Sequence, residues 1–521
     1  MVAAASPLLY RSGRGRWVVT ATVLGSAMAS IDATVVGIAL PTIGRSFHAG
    51  VSELQWVTNA YTLTLAGLLL LGGSLGDRLG RRRVFEIGTA WFALASLLCA
   101  VAPDAPALIA ARALQGIGAA LLTPGSLAIL QASFGREDRS KAIGAWAGLG
   151  GVATAVGPFL GGWFISAVSW RLIFFINLPV AVAVLLISSR HVPESKDPTV
   201  TGRVDIPGAA LFSLALAGLT FGLTEGASFG WGSPVIVGSL FAGAGLLVAF
   251  CVVELAQKSP LLPLAIFRSA QFSGANAVTF VVYAGLGGAL FLLPIQLQTV
   301  LGFTPLEAGI ALLPVTVIML TLSARSGALA ARIGPRLQMS AGPLLVAAGL
   351  ALLARVDATD RYVAGVLPAL IVLGFGLAAT VAPLTAAVLA AAPSEHSGIA
   401  SAVNNDVARV GSLVAVAVLP SLAGITGKSY LRPAEFSAGF HTAVLIAAGA
   451  CVVGSLIAVL TIRNPLRAPI PRPPKPRRQK SGMPKRDIAV EWQCGLDGPA
   501  LCPPGGNAEA GQRGAAARPA G

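Results

Sequence analysis

The stretch "GGSLGDRLGRRR", residues 72–83, closes a long apolar segment with one carboxylate and a cluster of arginines. Asp77 lies between glycines, and four arginines follow it within six residues. A shorter copy, "GALAARIGPR", stands at residues 327–336, again at the end of an apolar segment, with Ala331 in the place of Asp77. A motif that returns at the end of a later apolar segment predicts a chain that contains an internal repeat.

The composition is typical of a membrane protein. Of the 521 residues, 55% are hydrophobic and 11% are charged, and the mean hydropathy is +0.76, whereas soluble domains carry about 25% charged residues. Crossing a bilayer takes about 20 apolar residues, and such stretches recur along the chain. The expected spans are 17–41, 53–72, 84–103, 106–130, 142–165, 171–189, 207–226, 234–255, 273–297, 306–324, 338–354, 362–390, 397–421 and 440–462. The sequence therefore predicts an all-α membrane protein with fourteen transmembrane helices.

The net charge of +15 is concentrated on one side of the predicted spans. If the N-terminus lies in the cytoplasm, 29 of the 37 lysines and arginines lie on the cytoplasmic side, six lie outside, and Arg112 and Arg409 lie within spans. This asymmetry follows the positive-inside rule and predicts a multi-pass protein of the cytoplasmic membrane with both termini in the cytoplasm. Because the cations flank spans instead of forming one module, we expect no nucleic-acid partner.

The two copies of the loop motif are eight spans apart, and this spacing predicts the domain organisation. Two six-helix bundles with two inserted helices between them place both copies on the same side of the membrane, as in a parallel repeat. We expect a cytoplasmic tail at residues 1–16, an N-terminal bundle at 17–189, an inserted pair at 204–256, a C-terminal bundle at 270–465 and a disordered basic tail at 466–521. The proline and arginine content of the last segment is typical of disorder; it lies either in solution or on anionic lipid.

The motifs of nucleotide and metal chemistry are incomplete in this sequence. "LAGITGKS" (422–429) has Leu422 where a phosphate-binding loop needs its first glycine, and "GLGGVA" (148–153) misses the last glycine of a dinucleotide loop. The four histidines are scattered. We therefore expect neither an enzyme nor a cofactor nor a bound metal, and we expect transport that is driven by an ion gradient.

Two charged residues at membrane depth are the first candidates for proton coupling. Asp32 lies fifteen residues into the first span, which is about 22 Å along a helix. Arg112 lies in the fourth span, with Gln115 one turn further on. Charges inside a membrane are costly and are by default functional. An Asp32 that switches protonation beside a fixed Arg112 links proton binding to the binding of a cation or a drug; the alternative is a static buried ion pair.

The thirteenth span supplies a third candidate. Its segment "SAVNNDVARVG" contains Asp406, which could be a second proton or cation site. Arg409 follows three residues later and therefore lies on the same helical face. In the alternative interpretation, this arginine neutralises Asp406 locally.

Polar and aromatic residues of three spans are candidates for a substrate cavity. Aromatic rings bind large amphipathic or cationic ligands through stacking and cation–π contact, whereas a tryptophan near a span end also serves as an interfacial anchor. The candidate set consists of Trp56, Asn59, Tyr61, Gln115, Asn404 and Asn405.

The fifth span, "GAWAGLGGVATAVGPFLGGWF" (144–164), contains seven glycines and one proline. Gly144 and Gly148 are four residues apart, as are Gly157 and Gly161, and this spacing lets a neighbouring helix approach closely. Pro158 removes a backbone hydrogen bond and bends the helix. The pattern predicts either a sliding or gating surface or tight static packing.

Five motifs together resemble the major facilitator superfamily, specifically its fourteen-span drug:proton antiporter subfamily, from about residue 17 to residue 462. "GSLGDRLGRR" (73–82) is similar to the loop motif between the second and third spans. "AARALQGIGAA" (110–120) resembles the fourth-span arginine motif, and "VGPFLGG" (156–162) resembles the fifth-span antiporter motif, which marks exporters. "IDATVVGIALP" (31–41) resembles the first-span motif, with Gly37 in place of the usual asparagine, and "SWRLIFFINLP" (169–179) is similar to the start of the sixth span.

The resemblance implies export of drugs, antibiotics or other amphipathic molecules from the cytoplasm by alternating access and proton antiport. It also implies coupling roles for Asp32 and Arg112 that agree with those inferred above. We expect a bacterial monomer whose partners are a small-molecule substrate, protons and membrane lipid. An ion-coupled uptake symporter of the same fold and a transport-inactive sensor or scaffold are the alternatives.

The opening stretch then has an expected role as a conformational latch. Asp77 is expected to contact the positive end of the helix that starts at "SEHSG" (394–398), which would hold the two halves together on the cytoplasmic side. Ala331 leaves the second copy without this carboxylate. The latch set comprises Asp77, Arg78 and Arg81, and these arginines, with Arg82 and Arg83, are expected to pair with Glu137 or Asp138.

Overall fold

The structure is a computed structural model that describes residues 8–197, 204–257, 260–392 and 397–464. Within these ranges, fourteen helices are long and apolar enough to cross a membrane. They are Gly13–Phe47 (α1), Val51–Leu79 (α2), Arg81–Ala100 (α3), Ala105–Ser133 (α4), Arg136–Ala167 (α5), Leu172–His191 (α6), Ile206–Phe229 (α7), Pro234–Ala256 (α8), Ala270–Thr299 (α9), Pro305–Ile333 (α10), Arg336–Leu353 (α11), Val366–Ala391 (α12), Gly398–Leu422 (α13) and Pro433–Thr461 (α14). The prediction of an all-α membrane protein with fourteen spans is confirmed.

Several helices are longer than their predicted apolar cores. The first helix begins at Gly13, so the last residues of the predicted tail are helical, and the Ser12 side chain caps it by accepting a hydrogen bond from the Gly15 N–H at 3.0 Å. The second helix continues to Leu79 and so includes Asp77. The loop motif at residues 72–83 is therefore the last turns of α2 and the first turn of α3.

Two of the spans are interrupted. The sixth consists of Leu172–Phe175 and Asn177–His191, separated at Ile176. The tenth consists of Pro305–Ala311 and Leu313–Ile333, separated at Leu312. Ile176 and Leu312 keep right-handed helical backbone angles, and Asn177 directly follows the first of these two positions.

The helix contacts repeat with an offset of eight helices. In the first half, α1 packs against α5 and α6, α4 packs against α2 and α3, and α3 also packs against α6. In the second half, α9 packs against α13 and α14, α12 packs against α10 and α11, and α11 also packs against α14. The remaining helices, α7 and α8, pack against each other, and α7 also contacts α2 and α13. This pattern agrees with the division into two six-helix bundles and an inserted pair, which stays a prediction.

The two halves are joined at one side of the membrane. We call the side that carries residues 72–83 the arginine-rich side and the other the far side. The hydrogen bonds between described residues of the two halves all lie toward the far side. Their donors and acceptors are Val51 N–H to Gly427 O at 2.7 Å, Gln55 Nε2 to Val416 O at 2.6 Å and to Ala417 O at 3.1 Å, Gln298 Nε2 to Ile38 O at 2.8 Å and Tyr430 Oη to Ala49 O at 2.9 Å. Burial raises the pKa of the Tyr430 hydroxyl, which therefore remains a donor at physiological pH.

Candidate functional site

Asp32 and Arg112 form an ion pair inside the first six helices. The Arg112 Nη1 atom donates to Asp32 Oδ2 at 2.5 Å. Each residue is only 1% exposed. Two charges this far from water are tolerated only if further hydrogen bonds satisfy their remaining polar atoms. The surrounding helices supply such hydrogen bonds.

Three polar side chains complete the surroundings of Asp32. Gln115 Nε2 donates to Asp32 Oδ1 at 2.8 Å, and Asn177 Nδ2 donates to the same oxygen at 3.3 Å. The Ser96 hydroxyl accepts from both amides, at 2.8 and 3.2 Å. Because these residues belong to α1, α3, α4 and α6, the network ties four helices together around one carboxylate.

Arg112 has its own set of partners. Its Nη1 atom also donates to Gln115 Oε1 at 2.6 Å, and its Nε atom donates to the Val57 carbonyl at 3.1 Å. Its guanidinium carbon lies 4.3 Å from the centroid of the Tyr61 ring and 5.8 Å from that of Phe174. Hydrogen bonds and cation–π contacts thus hold the cation in one position between α2, α4 and α6.

The predicted site contains Asp32, Arg112 and Gln115, and the structure adds two residues to their hydrogen-bond network. These residues are Asn177 and Ser96, which the predicted site does not include although both lie in apolar spans. Asn177 stands in "SWRLIFFINLP", directly after the interruption of α6. An amide at membrane depth indicates either function or a buried polar network. This criterion alone is sufficient to place Asn177 in the predicted site.

Asp406 lies in a different environment. The residue is 5% exposed, and its Oδ1 atom has no hydrogen-bond partner in the part of the chain that the structure describes. Arg409 Nε is likewise buried without a partner, and the ion pairs among the described residues do not include one between these two side chains. The alternative in which Arg409 neutralises Asp406 through a local ion pair is therefore wrong for this conformation.

The helical position of Asp406 shows which elements enclose it. Val410 and Leu413 follow at spacings of four and seven residues, on the same face of α13. Leu413 belongs to a buried cluster with Leu63 of α2 and Leu216 of α7. Asp406 therefore lies on the face of α13 that packs toward α2 and the inserted helix.

The six candidates for a substrate cavity do not surround one space in this conformation. Tyr61 and Gln115 belong to the Arg112 network. Asn59 is fully buried, and neither of its amide atoms has a hydrogen-bond partner. Asn404 is buried and donates to the Asn276 and Thr279 side chains of α9 at 3.2 and 2.7 Å. Asn405 is exposed and donates to a carbonyl of its own helix.

Trp56 faces the inserted pair. Its indole Nε1 donates to Glu225 Oε1 of α7 at 2.8 Å, and its ring lies 6.4 Å from that of Phe221. Both Trp56 and Glu225 line an apolar groove of about 550 Å³ bounded by α2, α4 and α7. A second cavity of about 160 Å³ lies between α1, α5 and α6, and Asn177 is the amide that lines it beside the Asp32 network.

The glycines of α5 fall into two groups. A β-carbon on Gly157 or Gly161 would overlap the side chains of Thr34 and Val35 on α1, so these two positions allow the close helix approach that the sequence predicted. Gly144 and Gly148 have no described neighbour within 4 Å of such a β-carbon, and the same expectation is wrong for them.

Pro158 lies where α5 crosses the second half. A β-carbon on Gly309 of α10 would overlap the Pro158 carbonyl oxygen, and one on Gly162 would lie 2.5 Å from the Pro305 carbonyl oxygen. The backbones of α5 and α10 therefore touch at this point. The contact lies toward the far side, where the hydrogen bonds between the halves also occur.

The loop motif makes its ion pairs within its own half. Asp77 Oδ1 accepts from Arg81 Nη2 at 2.7 Å. The expected pairing of the arginines with Glu137 or Asp138 is wrong for Arg81, Arg82 and Arg83, because nearer carboxylates are available. The Nε atom of Arg82 lies 3.7 Å from Glu86 Oε1, and that of Arg83 lies 3.7 Å from Glu194 Oε2. Asp138 instead accepts from the Lys141 ammonium and the Tyr10 N–H. Arg78 Nε donates to Ser74 Oγ at 3.4 Å. The expected contact of Asp77 with "SEHSG" falls on residues 394–396, outside the described residues.

The fold and this buried polar centre define a membrane transporter, and comparison with known families agrees. A model of the Major Facilitator Superfamily matches residues 22–417. The chain belongs to this superfamily, whose members are transporters and not enzymes. The family resemblance seen in the sequence motifs is confirmed.

Similar proteins are described as resistance and export proteins. The chain is 34% identical over 409 residues to the tetracenomycin C resistance and export protein of Streptomyces glaucescens, covering 78% of this chain and 76% of that protein. It is 35% identical over 456 residues to the methylenomycin A resistance protein of Bacillus subtilis (strain 168), covering 86% of this chain and 95% of that protein.

A solved structure shares the fold. The crystal structure of a POT family transporter in complex with a thioalcohol conjugated peptide superposes with a TM-score of 0.66 at 13% sequence identity. The match covers 87% of this chain and 97% of that one.

Proposed function

We propose that this protein is a proton-coupled exporter of amphipathic drugs, antibiotics or related small molecules. It works by alternating access in the bacterial cytoplasmic membrane, with both termini in the cytoplasm. The observation that carries the proposal is the fully enclosed Asp32–Arg112 ion pair, because charges at membrane depth are kept for function. The resistance and export activities named for the relatives support export as the direction.

Proton binding at Asp32 would change the network directly. A proton on Oδ2 would replace the Arg112 N–H that now donates there and would remove the negative charge opposite the guanidinium. The ion pair joins α1 to α4, so protonation weakens the attachment between these helices. Proton binding and helix movement are thereby linked, which is what coupled transport requires.

Asp406 is the second proposed proton site, in the other half of the molecule. Its Oδ1 atom can take up a proton without breaking an existing hydrogen bond, because that atom has none. Neutralising a buried charge that lacks a partner is energetically favourable. The two carboxylates differ in this respect, and only Asp32 exchanges one interaction for another.

Substrate would contact the residues of the candidate set at different stages of the transport cycle. Trp56 borders an open groove and Asn405 is exposed, so these two are accessible in the conformation described. Tyr61 lies against Arg112, where its ring is accessible to an aromatic or cationic ligand only after the halves move.

The latch also belongs to this proposal. With the halves joined on the far side, Asp77 is held by Arg81 within one motif. In the opposite conformation, Asp77 leaves Arg81 and binds the N-terminal end of α13. We expect Asp77→Asn to reduce transport while membrane insertion stays normal, and normal export by this variant would contradict the latch.

Inside-out membrane vesicles test the coupling. With an acidic interior imposed, addition of a cationic dye or drug should cause proton release that a pH-sensitive fluorophore reports. We expect Asp32→Asn to abolish this release. Asp357→Asn makes the same chemical change on an exposed far-side loop and should leave it unchanged.

The other outcomes of this assay identify the alternatives. An unchanged response in Asp32→Asn would overturn the coupling role of that residue. Protons and substrate moving in the same direction would identify a symporter. A purified, folded protein that moves none of a broad panel of substrates would favour the sensor or scaffold.

A further inference from the structure

Two buried carboxylates lie at the arginine-rich end of the inserted pair, outside the site described above. Asp205 is the N-cap residue of α7, and its Oδ1 atom accepts from the Gly208 N–H at 2.8 Å. Glu254 lies in the last turn of α8. Asp205 is 4% exposed and Glu254 is 2% exposed. Carboxylates are almost never buried this fully unless a partner compensates their charge.

Each carboxylate accepts hydrogen bonds through only one of its two oxygens. Asp205 Oδ1 also accepts from Gln257 Nε2 at 2.7 Å, and Glu254 Oε2 accepts from the Leu262 N–H at 3.1 Å. Among the described residues, Asp205 Oδ2 and Glu254 Oε1 have no hydrogen-bond partner. A β-carbon on Gly208 would overlap both of these atoms, with Glu254 Oε1 at 2.7 Å. The two oxygens without partners therefore face the same small space.

No cation of the described residues compensates this pair. The ion pairs formed in the described part of the chain involve neither carboxylate. The linker helix Leu264–Arg268, which contacts α8, carries Arg268, and α13, which contacts α7, carries Asp406 and Arg409. Arg203 and Lys258 lie outside the described residues and are included in the test below.

A proton fits this space better than a metal ion. Two like charges that share a buried site cannot both remain ionised without a large cost. One proton converts the pair into an O–H donor and an O⁻ acceptor, which is a strong, charge-assisted hydrogen bond. Calcium takes about 6–8 oxygen ligands, whereas two oxygens are free here and the described residues contain no group of three metal-ligating side chains.

We propose that Asp205 and Glu254 form a proton-binding site and share one proton. Uptake of one proton from water changes the charge of the pair from two negative charges to one, and the only covalent bond formed is O–H. The site connects the start of α7, the end of α8 and, through Leu262, the linker to the second half. Loss of the proton separates these segments, so the inserted pair responds to pH through its own carboxylates.

Thermal unfolding of the purified full-length protein at a series of pH values tests the shared proton. We expect the melting temperature of the unmodified protein to fall as the pH rises, because proton loss leaves two facing negative charges. Glu254→Gln supplies a permanent N–H donor, so this variant should lose that fall. Asp205→Asn should do the same and still caps α7. Glu435→Gln, an exposed residue, should keep the original profile.

Infrared spectroscopy supplies the second readout. The spectrum of the unmodified protein minus that of Glu254→Gln should contain one protonated-carboxyl C=O band that shifts in D₂O. Asp205→Asn should lose the same band. Absence of this band, or unchanged melting profiles in both variants, would overturn the proposal.

Two further outcomes would also overturn it. Stabilisation by sodium or calcium chloride but not by choline chloride, lost in Glu254→Gln, would identify a cation site instead. An Arg203→Gln or a Lys258→Gln variant that loses the pH dependence would show that this cation neutralises the pair. None of these measurements involves transport, so their result is independent of the export proposal.

Discussion

The two halves of the molecule each contain a buried aspartate and an arginine within their spans, but only one half joins them. Asp32 and Arg112 are eighty positions apart in the sequence and form a 2.5 Å ion pair. Asp406 and Arg409 are three positions apart on one helix and form no ion pair with each other in the described part of the chain. Closeness in sequence therefore did not decide which charges pair.

The reason lies in the partners that neighbouring helices provide. Around Asp32, amides from α4 and α6 donate to the second carboxylate oxygen. These hydrogen bonds offset the free-energy cost of removing the ion pair from water. The face of α13 that carries Asp406 packs on aliphatic residues such as Leu63 of α2 and Leu216 of α7, and the Asp406 Oδ1 atom has no donor among the described residues. The first arrangement is a rigid polar centre, and the second is a carboxyl group that is free to bind a proton.

Replacing Arg112 should produce the largest effect. In Arg112→Gln, Asp32 remains buried without its cation, and such a loss costs about 3–5 kcal/mol. Melting curves from tryptophan fluorescence in detergent would show it. The double variant Asp32→Asn/Arg112→Gln should recover part of the stability, because it removes the uncompensated charge. A melting temperature equal to that of the unmodified protein in the single variant would contradict a structural role for the pair.

Neutralising Asp406 should separate stability from transport. Asp406→Asn removes a buried charge that lacks a full set of partners, so the melting temperature should stay the same or rise. Proton-driven dye export in inside-out vesicles should fall to background, because the amide cannot carry the proton. Export at the normal rate would remove Asp406 from the proposed coupling mechanism.

Removing one amide from the Asp32 network should have an intermediate effect. Asn177→Leu deletes one of the donors to Asp32, and a hydrogen bond to a charged group is worth about 1.5–3 kcal/mol. Asn405→Leu is the matched control, since that amide is exposed and should change stability by about 0.5 kcal/mol or less. Equal destabilisation by the two changes would show that Asn177 adds nothing specific to the site.

Replacing Arg409 should have the smallest effect. Arg409 does not form an ion pair with Asp406, and its buried Nε atom has no hydrogen-bond partner among the described residues. Arg409→Gln should therefore cost less than about 1 kcal/mol, which is what a typical hydrogen bond contributes. The melting temperature, compared directly with that of Arg112→Gln, measures the difference between the two arginines. A loss as large as that of Arg112→Gln would mean that Arg409 does compensate Asp406.

The sequence predicted much of the fold because bilayer crossing leaves a strong local signal. Each span needs a continuous apolar run, and all fourteen runs became helices. Helix ends were less accurate, as at Gly13 and Leu79, because polar residues extend helices beyond the apolar core. Asp32, Arg112 and Gln115 were recognised by their polarity at membrane depth, whereas Asn177 and Ser96 were missed.

By itself, the sequence determined the spans, the asymmetric charge distribution, the repeat and the family, since each of these depends on residue type and spacing along the chain. The tertiary structure decided which charges pair, that Trp56 faces the inserted helix, that Gly157 and not Gly144 packs on a neighbour, and that Asp205 meets Glu254. These outcomes depend on contacts between residues far apart in sequence. A buried polar atom is stable only if a donor or acceptor lies within about 3 Å, and only the packed helices fix that distance.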